Sequence, residues 1–211
     1  MNLALEGLLV IGAYLLGSVP FGLVLTRLFT GKDVRTVGSG NIGASNVARA
    51  AGKKLGVLTL VLDAAKASLP MLLTRELVRP QGQLPMESWM VAVGLAAFAG
   101  HLYPVWLGFK GGKGVATALG VFAVLSPISA VLALVVFGVA YGATHVAAVG
   151  SLAGTAVCAS GAVVQAAREH GGLVAAFEGP MAWAAVAVAL VIFLRHRSNI
   201  ERLLRGAENK V

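Results

Sequence analysis

Leu3-Ala-Leu-Glu-Gly-Leu-Leu-Val-Ile-Gly-Ala-Tyr-Leu-Leu-Gly-Ser-Val-Pro-Phe-Gly-Leu-Val-Leu-Thr-Arg-Leu-Phe-Thr30 decides the fold class. It exceeds the roughly 20 apolar residues that carry a helix across a bilayer, and its only charges are Glu6 and Arg27. No positively charged segment precedes it, so it reads as a membrane helix that stays and not as a cleaved signal. Pro20 removes one helix hydrogen bond near its middle, which predicts a kink there. The rest of the 211 residues has the same character: 57% hydrophobic and 12% charged, with a mean hydropathy of +0.83. That much apolar surface exceeds what a soluble core can hide, so lipid must cover it. The expectation is an all-α, polytopic membrane helix bundle forming a single domain, 1–211.

Further spans are expected over 56–78, 88–108 and 181–194. Residues 115–167, with weak breaks at Ser126-Pro127 and Tyr141–His145, hold three helices or two long tilted ones. Counting about seven spans places the polar loop 31–54, the segment around Lys110 and Lys113 and the C-terminal tail on one side. About five spans would preserve that arrangement. Thirteen of the 17 Lys and Arg residues lie on that side, Arg75, Arg79 and Arg168 lie opposite, and Lys66 is within a span. The positive-inside rule then puts the N-terminus outside and the three polar segments in the cytoplasm, with 79–87 as an external loop. The net charge of +8 is read as orientation and attraction to anionic headgroups or substrates; a nucleic-acid partner is not expected. Cys158 has no second thiol and reads as a small lipid-facing or packed residue. Asp63 and Lys66 share one face of the second span. They are expected either to brace the loop 31–54 as an ion pair or to contact ligand.

Three polar segments carry chemistry. In Gly38-Ser-Gly-Asn-Ile-Gly-Ala-Ser-Asn-Val-Ala-Arg49, glycines allow sharp turns, while Ser39, Asn41, Asn46 and Arg49 supply donors that suit an anion, together with Gly40 backbone. Gly38-x-Gly40-x-x-Gly43 matches the dinucleotide fingerprint literally. The match is rejected, because a membrane helix precedes it where a strand is required, and the acid about twenty residues on, Asp63, lies in a span. In Gly108-Phe-Lys-Gly-Gly-Lys-Gly-Val-Ala-Thr117, Lys110 and Lys113 sit among Gly111, Gly112 and Gly114 just before a helix expected near Val115. Lysines and glycine amides at a helix N-terminus bind phosphate. Leu107 and Gly114 replace required residues of a nucleotide-binding phosphate loop, so no nucleotide is implied. In the tail, His196 is suited to proton traffic or substrate orientation, and Asn199 lies one turn on. His101 could compete for that role or only hydrogen-bond its turn. No metal-ligand spacing is present, and neither a metal nor a cofactor is expected.

These segments, with His196-Arg-Ser-Asn-Ile-Glu-Arg-Leu-Leu-Arg-Gly-Ala-Glu208 as the third, together resemble the bacterial acyl-phosphate:glycerol-3-phosphate acyltransferase family over nearly the whole chain. Departures are Ser45, where the family usually has threonine, and Ala48, where a larger aliphatic residue is common. The resemblance implies transfer of a fatty acyl group from acyl phosphate to glycerol 3-phosphate, giving 1-acylglycerol 3-phosphate and phosphate, without metal, in the bacterial inner membrane. It implies roles for Ser39 and Arg49, a glycerol 3-phosphate site at the second segment, roles for His196 and Asn199, and a fold-supporting role for Glu208. Membrane lipids are the only other expected partners, and a monomer is expected. The histidine–aspartate signature of soluble-type glycerolipid acyltransferases is absent, with Glu201 at the corresponding place. The rival class is a transporter of organic phosphate anions, which broken helices and intramembrane charges would also suit. Against it, no inverted repeat is visible and the anion-binding segments gather on one side.

Overall fold

The computed structural model describes residues 3–78 and 85–208. Most of the external loop expected over 79–87, including Arg79, lies outside the described residues. Regular structure among the described residues is entirely helical, as a bilayer demands of a chain that must satisfy its backbone polar groups internally. It falls into two compact units, Met1–Val121 and Phe122–Val211.

The first unit holds α1 (Leu3–Gly17), α2 (Phe21–Thr30), α3 (Ala44–Ala51), α4 (Lys53–Leu77), α5 (Met86–Leu102) and the start of α6 (Val115–Leu125). The expected kink is a full break, with α1 and α2 bent by 41°. α1 packs against α4 and α5. Its approach to α5 is close enough that a Cβ on Gly100 would fall on the Tyr14 carbonyl oxygen. Such small-residue contacts let membrane helices pack without a hydrophobic driving force between them. The loop expected over 31–54 contains a helix: α3 forms because Val47 is wholly buried with Leu23, Val34 and Ile42. α4 likewise starts at Lys53, three residues before the expected span.

The second unit holds the end of α6, α7 (Pro127–Thr144), α8 (Ala147–His170), α9 (Pro180–Arg195) and α10 (Arg197–Leu204). The stretch 115–167 is therefore three helices, broken at the expected sites, with α8 running three residues farther. α8 packs against α7 and α9. At the α6–α7 break, the Ser126 hydroxyl lies 2.7 Å from that of Ser129 and 2.6 Å from Gln165 Oε1, a polar network that serves backbone freed from the helix. Ile128, Val131, Val135 and Val139 form an exposed apolar stripe along α7, a face for lipid.

Four helical stretches are long and apolar enough to span: α4, α5 with the turn that follows it to Leu107, α7 and α8. Counting the bent pairs α1–α2 and α9–α10 as single spans gives six. The remaining apolar helix, α6, has 11 residues, about 16 Å of helix.

Candidate active site

The first polar segment is built around Asn46, which is 2% exposed. Its amide nitrogen donates to the carbonyls of Val34, Val37 and Asn41, each at 2.9 Å. Its amide oxygen accepts from the Ser39 N–H at 3.0 Å. One side chain from α3 thus closes the loop that presents Ser39, which is exposed. Gly38 and Gly40 take left-handed conformations, φ 57° and 68°, that L side chains resist. Gly22 of α2 lies so close to this loop that a Cβ there would strike the Ile42 carbonyl oxygen. The Arg49 side chain, from the last turn of α3, runs beside Gly38. Arg27 and Arg35 are committed to Asp33 at 2.6 and 2.7 Å. Hydrogen bonds from the Arg35 side chain and backbone, chiefly, hold the Asp33 carboxyl below the usual carboxylate range.

Asn46→Asp keeps size while replacing a donor with a carboxylate facing three carbonyls. It is expected to cost roughly 3 kcal/mol, the scale of one or more buried polar groups losing their partners. Thermal unfolding in detergent measures the loss, and turnover should fall with it because Ser39 loses its anchor.

The second segment leaves α5 through a short turn, Val105–Leu107. The Gly111 N–H donates to the Leu102 carbonyl at 3.2 Å and the Gly112 N–H to that of His101 at 3.1 Å. In the first segment the Gly40 N–H donates to Val37 and the Gly43 N–H to Asn41 Oδ1. The amides of Gly40, Gly111 and Gly112 are thus engaged within their own loops, which they hold together. Candidates for anion contact in the second segment are the exposed Lys110, the half-buried Lys113 and the amides that open α6 beyond Gly114.

Below both segments lies a buried ion pair. Lys66 Nζ is 2.8 Å from Asp63 Oδ1, with both side chains almost wholly enclosed. The same ammonium is 3.0 Å from the Val19 carbonyl, at the α1–α2 break, and 3.0 Å from His101 Nδ1. The direct contacts of the ion pair are thus with the helix break and with His101.

In the second unit, His196 sits at the 57° bend between α9 and α10. Its N–H donates to Ile192 and Phe193, and its carbonyl accepts from Asn199 and Ile200. His196 Nδ1 is 2.8 Å from the Ile192 carbonyl. A carbonyl only accepts, so the ring proton resides on Nδ1, and Nε2 is the lone-pair nitrogen of the neutral ring. Asn199 Nδ2 donates to Glu208 Oε1 at 2.8 Å, and Arg202 Nε to Glu208 Oε2 at 2.8 Å. Glu208 thereby ties the turn that follows α10 back to that helix. No three His, Cys, Asp or Glu side chains among the described residues gather as metal ligands.

The family model described as glycerol-3-phosphate acyltransferase matches residues 7–206, a range that contains all three polar segments up to Gly206. The chain belongs to this family. Among relatives named glycerol-3-phosphate acyltransferase, that of Anaeromyxobacter dehalogenans (strain 2CP-C) is 59% identical over 207 residues, 98% of each chain. That of Myxococcus xanthus (strain DK1622) is 48% identical over 203 residues, 96% of this chain and 97% of the other. Among solved structures, that of PlsY (YgiH), an integral membrane glycerol 3-phosphate acyltransferase, in its glycerol 3-phosphate form, superposes with a TM-score of 0.83 at 39% identity. The match covers 98% of this chain and 95% of that one. Its lysophosphatidic acid form gives 0.80 at 38% identity. As a member of the glycerol-3-phosphate acyltransferase family, the chain is a membrane acyltransferase.

His101, expected either to compete with His196 or to hydrogen-bond its turn, meets the Lys66 ammonium with its ring. Its partner Lys66 is 35 positions away, and the only signal in the sequence was a histidine near a span end, just ahead of the lysine–glycine segment.

Proposed function

We propose that this protein transfers a fatty acyl group from acyl phosphate to glycerol 3-phosphate, releasing phosphate and 1-acylglycerol 3-phosphate, the first acylation of phospholipid synthesis. The observation that carries the reading is the family match running through all three polar segments in one chain. Acyl phosphate is already activated, so the enzyme must orient a hydroxyl, neutralise phosphate charge and stabilise the oxyanion. Arg49, Lys110 and Lys113 clamp the phosphates, with Gly114 admitting the chain to the α6 N-terminus. Ser39, with the loop of Gly40, Asn41 and Asn46 behind it, orients the acyl phosphate. The glycerol hydroxyl oxygen attacks the acyl carbonyl carbon; the ester bond forms, the bond from that carbon to the phosphate oxygen breaks, and phosphate leaves. His196, its Nδ1 proton held by Ile192, receives the hydroxyl's hydrogen bond at Nε2. The proton passes to that nitrogen or onward to a substrate phosphate oxygen. Asn199, Arg202 and Glu208 keep His196 in register. Neither a metal nor a cofactor enters.

The chain is a single acyltransferase domain, 1–211, acting as a monomer. Seven spans, with α6 as the short one, place the N-terminus outside and the polar segments at the cytoplasmic face of the bacterial inner membrane. The distribution of lysine and arginine supports that orientation. Purified protein in detergent, supplied with acyl phosphate and glycerol 3-phosphate, is expected to release inorganic phosphate and lysophosphatidic acid. Uptake of glycerol 3-phosphate into vesicles without any product in detergent would replace this reading with transport.

A further inference from the structure

The buried Lys66 is doing something that an ion pair alone does not require. An ammonium carries three N–H donors, and all three have acceptors: Asp63 Oδ1 at 2.8 Å, the Val19 carbonyl at 3.0 Å and His101 Nδ1 at 3.0 Å. With Lys66 charged, its ammonium only donates and His101 Nδ1 accepts. The neutral ring therefore carries its proton on Nε2. The direct distance from His101 Nδ1 to Asp63 Oδ1 is 3.7 Å, beyond hydrogen-bond range, so Lys66 links the two.

His101 meets the lysine–glycine segment in two ways. Its carbonyl accepts from the Gly112 N–H, and its ring lies so close to Gly112 that a Cβ there would clash with Nε2. Only glycine fits. At its other end the network reaches Val19, three residues before Gly22, whose backbone abuts Ile42 of the first polar segment. Leu107, in the turn leading to Lys110, packs on the same cluster that seats α3. One buried node is thus connected to both polar segments of the first unit.

We propose that His101, keyed by Lys66 and Asp63, is a positioning residue that sets the place of the Lys110–Gly114 segment and through it the affinity for the water-soluble phosphate substrate. This rests on the reading of that segment as the glycerol 3-phosphate site. Asp63 and Lys66 act through His101 and the α1–α2 break, without touching substrate. Loosening one charge-assisted contact to the phosphate is enough to weaken binding about tenfold.

The test uses the full-length protein in detergent, with steady-state kinetics varied separately in glycerol 3-phosphate and acyl phosphate. His101→Leu is expected to raise KM for glycerol 3-phosphate about tenfold or more, while kcat at saturation and KM for acyl phosphate stay within about threefold. His101→Asn, which restores an acceptor for Lys66, is expected to recover most of that loss. Gly112→Ala approaches the contact from the other side and should raise the same KM. The double variant Gly112→Ala/His101→Ala, in which the smaller side chain makes room for the new methyl, should bind glycerol 3-phosphate better than Gly112→Ala alone. Unchanged KM for glycerol 3-phosphate in folded His101→Leu, or a loss confined to kcat, would overturn the proposal. If neither His101 single variant folds, Gly112→Ala decides: an unmoved KM overturns it. Lys113→Ala separates the two levels. If that variant leaves KM for glycerol 3-phosphate unmoved, the segment is not the phosphate site and the inference falls with that reading. If Lys113→Ala raises KM and the His101 and Gly112 variants do not, only the inference fails.

Discussion

His196→Ala is expected to lower kcat by about 10²–10⁴-fold, the range associated with loss of a positioned acid–base group, while the protein still folds. His196 is held from every side of its peptide: its N–H and carbonyl join α9 to α10, and its ring nitrogen Nδ1 is fixed by Ile192. The first two contacts are backbone contacts and survive substitution. What alanine removes is Nε2, the atom that would accept the attacking hydroxyl. His196→Asn sharpens the test, since it can still donate to Ile192 from near the Nδ1 position yet has nothing at Nε2; it should be nearly as impaired as alanine. Turnover in detergent, with thermal unfolding as the control for folding, measures both. Retention of more than about a tenth of wild-type kcat in folded His196→Ala would remove the residue from the chemistry.

Asp63→Ala is expected to be the most destabilising of the substitutions considered, by about 3–5 kcal/mol, the cost of leaving a buried charge without its partner. Lys66 is enclosed to the same degree as Asp63, so neither water nor another carboxylate takes the vacated place. Replacing both residues with apolar side chains of similar volume should return much of the lost stability, because the desolvation cost of both charges goes as well. Function should not return with it. His101 Nδ1 would lack the donor that sets its tautomer, and the Val19 carbonyl would lose a partner at the helix break. Thermal unfolding of the single and double variants, followed by KM for glycerol 3-phosphate on the double, separates stability from positioning.

How much of this was legible in the sequence depended on whether the cause was local. The apolar run 3–30 and Pro20 foretold a broken first helix, because the missing amide is a property of proline itself. The breaks at Ser126-Pro127 and near His145 were readable for similar reasons: proline begins α7 and a left-handed His145 ends it. The three polar segments stood out because glycines, amides, hydroxyls and charges cluster there between apolar runs. α3 was not legible. Its eight residues, Ala44–Ala51, carry Ser, Asn and flanking glycines that favour turns, and the helix exists because Val47 finds Leu23, Val34 and Ile42. These contacts come from α2 and the preceding loop, and only the folded chain assembles them.

The glycines were read as turn-formers whose amides would face an anion; in the structure the amides of Gly40, Gly111 and Gly112 bond within their own loops. Where a backbone N–H points depends on which carbonyl comes near, and Leu102 and His101 reach Gly111 and Gly112 first. The Asp63–Lys66 pairing followed from spacing on one helix. Its extension to His101 and Val19 joins α4 to α5 and to the α1–α2 break, and helical spacing says nothing about that.

Direct acyl transfer between two phosphate-bearing substrates leaves its signature in a single turnover in detergent. Enzyme in excess over radiolabelled acyl phosphate, mixed with glycerol 3-phosphate and quenched on the millisecond-to-second scale, should convert label straight into lysophosphatidic acid. Phosphate should appear in step with it, and no label should remain on protein, with or without glycerol 3-phosphate. Label trapped covalently on Ser39 and then passed to glycerol 3-phosphate would contradict the account.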